Sequence, residues 1–133
     1  MSISKQELVA SPSRPYSAGR TAARRWAGFW RLADPKIWIA STVPIFAATA
    51  LAWRDAGSVH PGWLLAVLGG IYLIEIGKNA VNEVVDWRSG ADRFVAPEDA
   101  TPFSGGKKAI KDGLLTVGEA EVIAWVTLAL GAV

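Results

Sequence analysis

The chain has 133 residues, of which 51% are hydrophobic and 20% are charged, and its mean hydropathy is +0.25. A soluble domain of this size usually carries more charge and has a negative mean hydropathy, so a membrane protein is the first class to test. The absence of cysteine excludes disulfide frameworks, thiolate metal sites and cysteine nucleophiles. A net charge of only +2 gives little support to a nucleic-acid partner, and none is expected.

The chain begins with two segments of different character. Residues 1–19 are rich in serine and proline and lack apolar periodicity, which predicts a disordered tail. Residues 20–33 predict a short amphipathic helix, because Trp26 and Trp30 share one face and Arg24 lies near the opposite one. We expect this helix to lie in the headgroup region of an anionic leaflet. The alternative is that it packs on another protein surface.

Two apolar runs then predict transmembrane helices. Ile37 to Trp53 is uncharged over seventeen residues, and Gly62 to Ile74 is apolar over thirteen. A helix needs about 20 residues to cross a hydrocarbon core of about 30 Å, and flanking residues extend both runs into the interfaces. For the first run, the alternative is a buried helix of a soluble protein.

A third apolar run starts at Val122 and reaches Val133 after twelve residues, which is too short to cross a bilayer. The sequence therefore predicts an all-α integral membrane helical bundle. It has two complete transmembrane helices and a truncated third, preceded by an interfacial amphipathic helix. We expect residues 20–133 to be the N-terminal portion of a larger membrane domain.

The basic residues predict the orientation of these helices. Of fourteen lysines and arginines, seven precede Ile37 and six lie between Lys78 and Lys111, whereas the loop between the two runs contains only Arg54. Basic residues gather on the cytoplasmic side of membrane proteins. The predicted localisation is the cell's inner (cytoplasmic) membrane, as a multi-pass protein with the N-terminus and the long loop after the second run on the cytoplasmic side.

The second apolar run passes directly into a polar stretch that keeps helical spacing. Four polar residues at spacings of four, three and four fall within about 60° of one another on a helix. They are Glu75, Asn79, Asn82 and Asp86. Ser89 and Gly90 are then expected to end the helix and to bring Asp92 close to the same face.

This set of side chains suits a diphosphate held through Mg²⁺. Mg²⁺ prefers oxygen ligands and is typically held by one or two carboxylates together with phosphate oxygens. Asp86 and Asp92 offer the carboxylates and Asn82 offers a neutral oxygen. Lys107 and Lys108 could neutralise a leaving diphosphate, and the two glycines before them would let backbone N–H groups approach it. The alternative is that these polar residues only cap a helix in water.

Several motifs carry a resemblance to a known family. Asn79-x-x-Asn82-x-x-x-Asp86-x-x-x-Gly90-x-Asp92 resembles the first aspartate-rich motif of the UbiA-type intramembrane prenyltransferases. It is closest to the 1,4-dihydroxy-2-naphthoate polyprenyltransferase branch. The resemblance covers roughly residues 30–133, and the family usually has Asp where Glu83 follows Asn82. Other stretches similar to that branch are Leu32-Ala33-Asp34-Pro35-Lys36, Pro44, Pro102-Phe103-Ser104-Gly105-Gly106 and Asp112-Gly113-Leu114-Leu115.

The resemblance implies a helical bundle in which two aspartate-rich motifs bind Mg²⁺ and an isoprenyl diphosphate. Asn82, Asp86 and Asp92 match the first motif, with Asn79 one turn earlier, and Asp86 and Asp92 are the implied catalytic residues. The implied activity is transfer of an isoprenyl chain to an aromatic acceptor in quinone biosynthesis, by a longer protein that supplies the second motif. Two alternatives remain open: a non-catalytic truncated paralogue or assembly subunit, and part of a transporter that uses Glu75 and Asp86 as intramembrane charges.

Overall fold

The computed structural model describes residues 21–91 and 107–133, and the regular elements in these two ranges are all helical. This confirms the predicted all-α class for the part of the chain that the structure describes. The predicted tail at 1–19, Asp92 and the glycines at 105–106 lie outside the described residues. The helices are α1 (Thr21–Ala33), a 3₁₀ helix (Pro35–Ile37), α2 (Trp38–Ala56), α3 (Pro61–Ser89) and α4 (Val117–Gly131).

Two helical stretches, Thr21–Ala56 and Pro61–Ser89, are long and apolar enough to cross a membrane. At 1.5 Å per residue, α2 is about 28 Å long and α3 about 43 Å long. None of the residues of α2 is buried, and its large apolar side chains face outward, among them Phe46 and Trp53, whose exposed fractions are 53% and 64%. A soluble core helix would have its apolar face covered, so this exposure is the property that α2 shares with membrane helices.

The helix α3 continues without interruption from its apolar half into its polar end, as the sequence predicts. Pro61 occupies the first turn, where its missing N–H costs no hydrogen bond. Gly90 ends the helix with φ 77, a left-handed conformation that glycine adopts without steric cost. The predicted helix end at Ser89 and Gly90 is confirmed.

The buried core lies at one end of the molecule, where α1, the polar half of α3 and the first half of α4 meet. One cluster joins Leu32 of α1 to Ala80 of α3 and Ala124 of α4, together with Leu115 from the connecting segment. The second contains Val84, Ile110 and Ala120. The apolar half of α3 and all of α2 extend away from this core. The buried clusters therefore lie at the polar end of the described structure.

Small residues allow α3 and α4 to approach closely. A Cβ added at Gly77 would lie 2.5 Å from Leu128 Cγ and 2.8 Å from Thr127 Oγ1. One added at Gly131 would lie 2.8 Å from the carbonyl oxygen of Gly70. Helices pack this closely in membranes because small residues remove the side chains that would hold the backbones apart.

The segment before α4 is a turn in the structure. The sequence suggests a short amphipathic helix at Ala109–Leu115, but the structure has a turn there instead of a helix. The N–H groups of Leu114 and Leu115 both donate to the carbonyl of Ala109, at 2.9 and 3.1 Å. Gly113, at φ 69, takes the left-handed conformation that ends a helical turn. The chain therefore forms one helical turn here, and the left-handed Gly113 prevents a second.

Candidate functional site

The candidate site is the polar end of α3, and its accessible part is a hydrogen-bonded pair one turn apart. The amide Nδ2 of Asn82 donates to Oδ2 of Asp86 over 2.8 Å. Asn82 is exposed and Asp86 is half-buried. The two side chains are on the same side of the helix, but because the amide donates through its nitrogen, the Asn82 carbonyl oxygen is turned away from the Asp86 carboxylate. A groove of about 480 Å³ opens beside them, lined by Lys78, Asn79, Val81, Asn82 and Val85.

Asn79 lies deeper than its neighbours on the predicted face. Only 7% of its surface is exposed, and its Nδ2 donates to the carbonyl oxygen of Leu32 over 2.8 Å. That carbonyl is in the last turn of α1, where backbone acceptors have no partner within the helix. Asn79 therefore joins α3 to the end of α1 and also lines the groove. The predicted diphosphate contact of Asn79 stays a prediction.

Glu83 is the most buried acidic residue of this end, with an exposed fraction of 1%. Its Oε2 accepts a hydrogen bond from the backbone N–H of Lys107 over 3.0 Å, and its Oε1 accepts one from Ile110 over 2.9 Å. A buried carboxylate is tolerated when such donors satisfy it. Glu83 thus points away from the groove and anchors the chain where it returns to α3.

The side chain of Lys107 reaches the turn that connects α1 to α2. Its ammonium pairs with a carboxylate oxygen of Asp34, a residue that is 7% exposed and whose φ is 40. Asp is one of the few residues that adopt this left-handed conformation readily. Lys36 Nζ lies 3.6 Å from the other carboxylate oxygen of Asp34. The predicted diphosphate contacts of Lys107 and Lys108 stay predictions, and Lys108 has a positive φ of 54.

Glu75, the first residue of the predicted polar face, contacts α2. Its Oε1 accepts a hydrogen bond from Ser41 Oγ over 3.0 Å, and its other oxygen pairs with Lys78. One turn earlier, the Thr42 and Tyr72 hydroxyls lie 2.6 Å apart. The four polar residues of the predicted face therefore have two different roles. Glu75 and Asn79 join helices, whereas Asn82 lines the groove and Asp86 binds Asn82 next to it.

The donor set of the site can be compared with the needs of Mg²⁺. Within 21–91 and 107–133, no three His, Cys, Asp or Glu side chains form a group that could hold a metal ion. Asn82 and Asp86 offer one carboxamide oxygen and one carboxylate. Mg²⁺ commonly takes only one or two protein carboxylates and completes its shell with water and phosphate oxygens. The pair would offer two oxygens to one side of such a shell after the Asn82 amide rotates to turn its oxygen toward the Asp86 carboxylate. Asp92, its predicted third member, lies outside the described residues.

A second polar cluster holds α1 against the start of α4. Arg24 donates to Oε1 of Glu119 over 2.7 Å and to the carbonyl oxygen of Leu114 over 2.8 Å, and Arg25 Nε contacts the same Glu119 oxygen. Glu119 also accepts from the N–H of Thr116 over 2.9 Å, which completes a capping box. The Arg24 hydrogen bond, opposed by burial and aided by Thr116 and Arg25, lowers the pKa of Glu119 to about 2.

Comparison with protein-family models, with curated proteins and with solved structures finds no match to this chain.

Sequence reasoning missed two residues that organise the site, Glu83 and Asp34. Each stands within a stretch that the resemblance quotes, but neither was assigned a role. For Glu83 the signal is its position: it follows Asn82 by one residue and therefore points about 100° away, toward the core. For Asp34 the signal is the Asp-Pro sequence directly after a helix, which is typical of a sharp turn. In neither case does the sequence identify Lys107 as the residue that the carboxylate binds, because Lys107 is 24 residues from Glu83 and 73 from Asp34.

Proposed function

We propose that this chain carries one side of an Mg²⁺-dependent isoprenyl diphosphate site in an intramembrane prenyltransferase of the UbiA type. The membrane setting is supported by two helical stretches of sufficient length and apolarity and by the exposed apolar surface of α2. Crossing the inner membrane with α2 and α3 brings the polar end of α3 to the cytoplasmic interface. A diphosphate is charged and its isoprenyl chain is apolar, so such an interface accommodates both parts of the substrate.

The observation that carries the proposal is the Asn82–Asp86 pair beside its groove, at the end of a helix of 29 residues. Asn82 and Asp86, with Asp92, would hold the Mg²⁺. The ion would neutralise charge on the diphosphate when it leaves the isoprenyl chain. The groove beside the pair combines Lys78 and two asparagines with the side chains of Val81 and Val85. This mixture of polar and apolar lining is the kind that a diphosphate joined to a hydrocarbon requires.

The residues of the chain also explain how the segment before α4 would serve this site. Glu83 fixes the backbone of Lys107 to α3 one residue from Asn82, and Asp34 holds the Lys107 ammonium. In the proposed site, a diphosphate would compete with Asp34 for this ammonium, and Lys108 would add a second positive charge. Loss of the diphosphate would break the C–O bond and leave an allylic carbocation. An electron-rich aromatic acceptor, as in quinone biosynthesis, would attack this carbocation and then lose a ring proton, which the released diphosphate can take up.

Binding of a labelled prenyl diphosphate to the chain in phosphatidylcholine nanodiscs tests this proposal. We expect binding that requires Mg²⁺. We expect Asp86→Asn to weaken it by about 10- to 100-fold, as when a metal site loses a group that holds it. Asp55→Asn is the matched control. Asp55 is an exposed aspartate at the C-terminal end of α2, away from the polar end of α3.

Transfer to the acceptor is measured separately, with membranes that contain the full gene product, Mg²⁺ and an aromatic acceptor. Loss of transfer in Asp86→Asn, with transfer retained in Asp55→Asn, is the expected result. Binding without Mg²⁺ dependence, or transfer that is indifferent to Asp86→Asn, would contradict the proposal. Mg²⁺-dependent binding with no transfer by the full gene product would instead identify a non-catalytic membrane subunit.

A further inference from the structure

A second groove lies on the opposite side of the core, between α1 and α4, and its lining is almost entirely apolar. Its volume is about 650 Å³, within the range of about 300–1,000 Å³ that is typical of ligand-sized clefts. One wall is formed by Trp26 and Phe29 of α1, and the other by Val122 and Ile123 of α4. We call this the α1/α4 groove. It takes no part in the proposed diphosphate site.

The aromatic wall of the α1/α4 groove is supported by ring contacts within α1. Trp26 stacks on Phe29 with centroids 6.2 Å apart and meets Trp30 edge-on at 5.5 Å. Even so, 63% of Trp26 is exposed, as is 63% of Val122 across the groove. An exposed apolar cleft with tryptophan at its edge is typical of the interfacial zone of a bilayer, where an amphipathic ring contacts both chains and headgroups.

The mouth of the groove carries an exposed arginine. Arg24 and Arg25 both bind the carboxylate of Glu119. Arg24 is the inner partner, with 11% of its side chain exposed, whereas 60% of the Arg25 side chain is exposed. The guanidinium that faces outward is therefore that of Arg25. Its Nε is used by Glu119, and a guanidinium has four further N–H donors.

We infer that the α1/α4 groove binds an anionic phospholipid of the bilayer, with an acyl chain between Trp26 and Val122 and the headgroup phosphate on Arg25. The apolar walls match the acyl chain, and the exposed guanidinium of Arg25, which lines the groove, matches the phosphate of an anionic headgroup. A bound lipid would join α1 to α4 on the side where they do not touch. This site requires the bilayer setting but not the proposed reaction. An experiment can therefore refute the lipid site without refuting the diphosphate site.

Fluorescence quenching by brominated lipids tests the inference with the full chain in phosphatidylcholine nanodiscs. Phosphatidylglycerol with brominated acyl chains replaces part of the phosphatidylcholine, and bromine quenches a tryptophan that it touches. The contribution of Trp26 is the difference between the native chain and Trp26→Phe. We expect this contribution to be quenched at a lower mole fraction of brominated phosphatidylglycerol than of brominated phosphatidylcholine.

Two variants test the two halves of the site. Arg25→Gln is expected to raise the mole fraction for half-maximal quenching about fivefold, the effect of one basic residue at an anionic surface. Gly118→Leu is expected to abolish the selective quenching, because Gly118 lines the groove and an added Cβ there meets no atom within 4 Å. The Cβ of the new side chain therefore meets no neighbour, and its remaining carbons occupy groove volume.

Each variant has a matched control. Arg88→Gln removes another exposed arginine that is paired with a glutamate, Glu121. Gly69→Leu adds the same side chain at another helical glycine with open space around it. Both are expected to bind lipid as the native chain does. Equal quenching by the two brominated lipids, a native response in Arg25→Gln or Gly118→Leu, or a Trp26 that no lipid quenches would each overturn the inference. The last result would mean that another part of the protein fills the groove.

Discussion

At the scale of single residues, the polar end of α3 shows how adjacent positions on a helix take opposite roles. Asn82 is exposed on the groove side, whereas Glu83, the next residue, is buried and binds two backbone N–H groups. A helix turns 100° per residue, so one residue faces a ligand while its neighbour faces the core. The two oxygens of Glu83 bind the N–H groups of Lys107 and Ile110, one each.

Glu83→Gln is expected to weaken the attachment of the segment at Lys107–Ile110 to α3. The amide nitrogen of glutamine faces a backbone N–H that needs an acceptor, so at least one hydrogen bond is lost and a buried donor is left unsatisfied. Such a loss costs about 1–3 kcal/mol. Faster tryptic cleavage after Lys107 or Lys108 is the measurement. Glu121→Gln, which changes a more exposed glutamate on α4, is the control, and equal cleavage in both variants would refute the anchoring role.

Glu119 makes the docking of α1 dependent on pH. Its pKa is about 2 in the folded chain and near 4.5 when unfolded, so its contribution is complete above about pH 5. The contribution is lost as the pH falls toward 2, because the carboxyl group is then protonated in both states. We expect the Glu119→Gln chain to be less stable than the native one by roughly 2 kcal/mol at pH 6, the order of a charge-assisted hydrogen bond.

The pH dependence is measured by thermal unfolding in detergent micelles, followed by helical circular dichroism. The difference between the native chain and Glu119→Gln should shrink between pH 5 and pH 2. Other carboxylates titrate in the same range, so only this difference is informative. Glu121→Gln serves again as the control. A difference that stays constant from pH 6 to pH 2 would mean that Glu119 contributes through packing rather than through its charge.

At the scale of helices, the contact between α3 and α4 depends on the absence of side chains at particular glycines. An alanine Cβ at Gly77 would meet Leu128 and Thr127 at less than 3 Å, whereas one at Gly69 would meet no atom within 4 Å. Both glycines lie inside the same helix. An alanine substitution at each position therefore separates the two effects. Both substitutions change the helix propensity, but only the one at Gly77 changes the packing.

Gly77→Ala is expected to destabilise the chain by about 1–3 kcal/mol, because the added methyl group forces two helices apart or side chains out of their rotamers. Gly69→Ala is expected to be neutral or stabilising by up to about 1 kcal/mol, since alanine is the better helix former. Thermal unfolding of both variants decides the point. A Gly77→Ala chain as stable as Gly69→Ala would contradict the close crossing.

The helices were more predictable from the sequence than their contacts. Apolar runs and the Ser89-Gly90 break identify α2 and α3, because hydropathy and turn chemistry are local properties. The turn at Ala109–Leu115 was mistaken for a helix because Gly113 sits inside an otherwise amphipathic pattern. The partners of Asn79 and Glu83 were not predictable, because long-range pairs depend on how helices cross. Helical spacing put Asn79 and Asn82 on one face without indicating that α1 covers the first and leaves the second exposed.

At the scale of the whole molecule, the two ends differ in what holds them. The polar end has a packed core, ion pairs between helices and the candidate site. The opposite end has the link between α2 and α3, with Ser58 exposed and Arg54 nearby. The distribution of basic residues predicts that the first of these ends is cytoplasmic, which stays a prediction.

Single cysteines test this orientation against a clean background, because the chain contains no cysteine. Ser58→Cys and Ser89→Cys introduce the same exposed thiol at the two ends. A membrane-impermeant thiol reagent is expected to label Ser89→Cys in inverted membrane vesicles and Ser58→Cys in right-side-out spheroplasts. Labelling of both cysteines from the same side would show that α3 does not cross the membrane.

The pairing of Arg24 with Glu119 has a consequence for the order of events during synthesis. The two residues are 95 positions apart, and a ribosome adds about 5–20 residues per second. The helix α1 is therefore made roughly 5–20 s before its partner on α4 exists. During that interval α3 is already made, so the hydrogen bond from Asn79 to the Leu32 carbonyl can form before Arg24 meets Glu119. The helix α1 can therefore dock in two steps, first on α3 and then on α4.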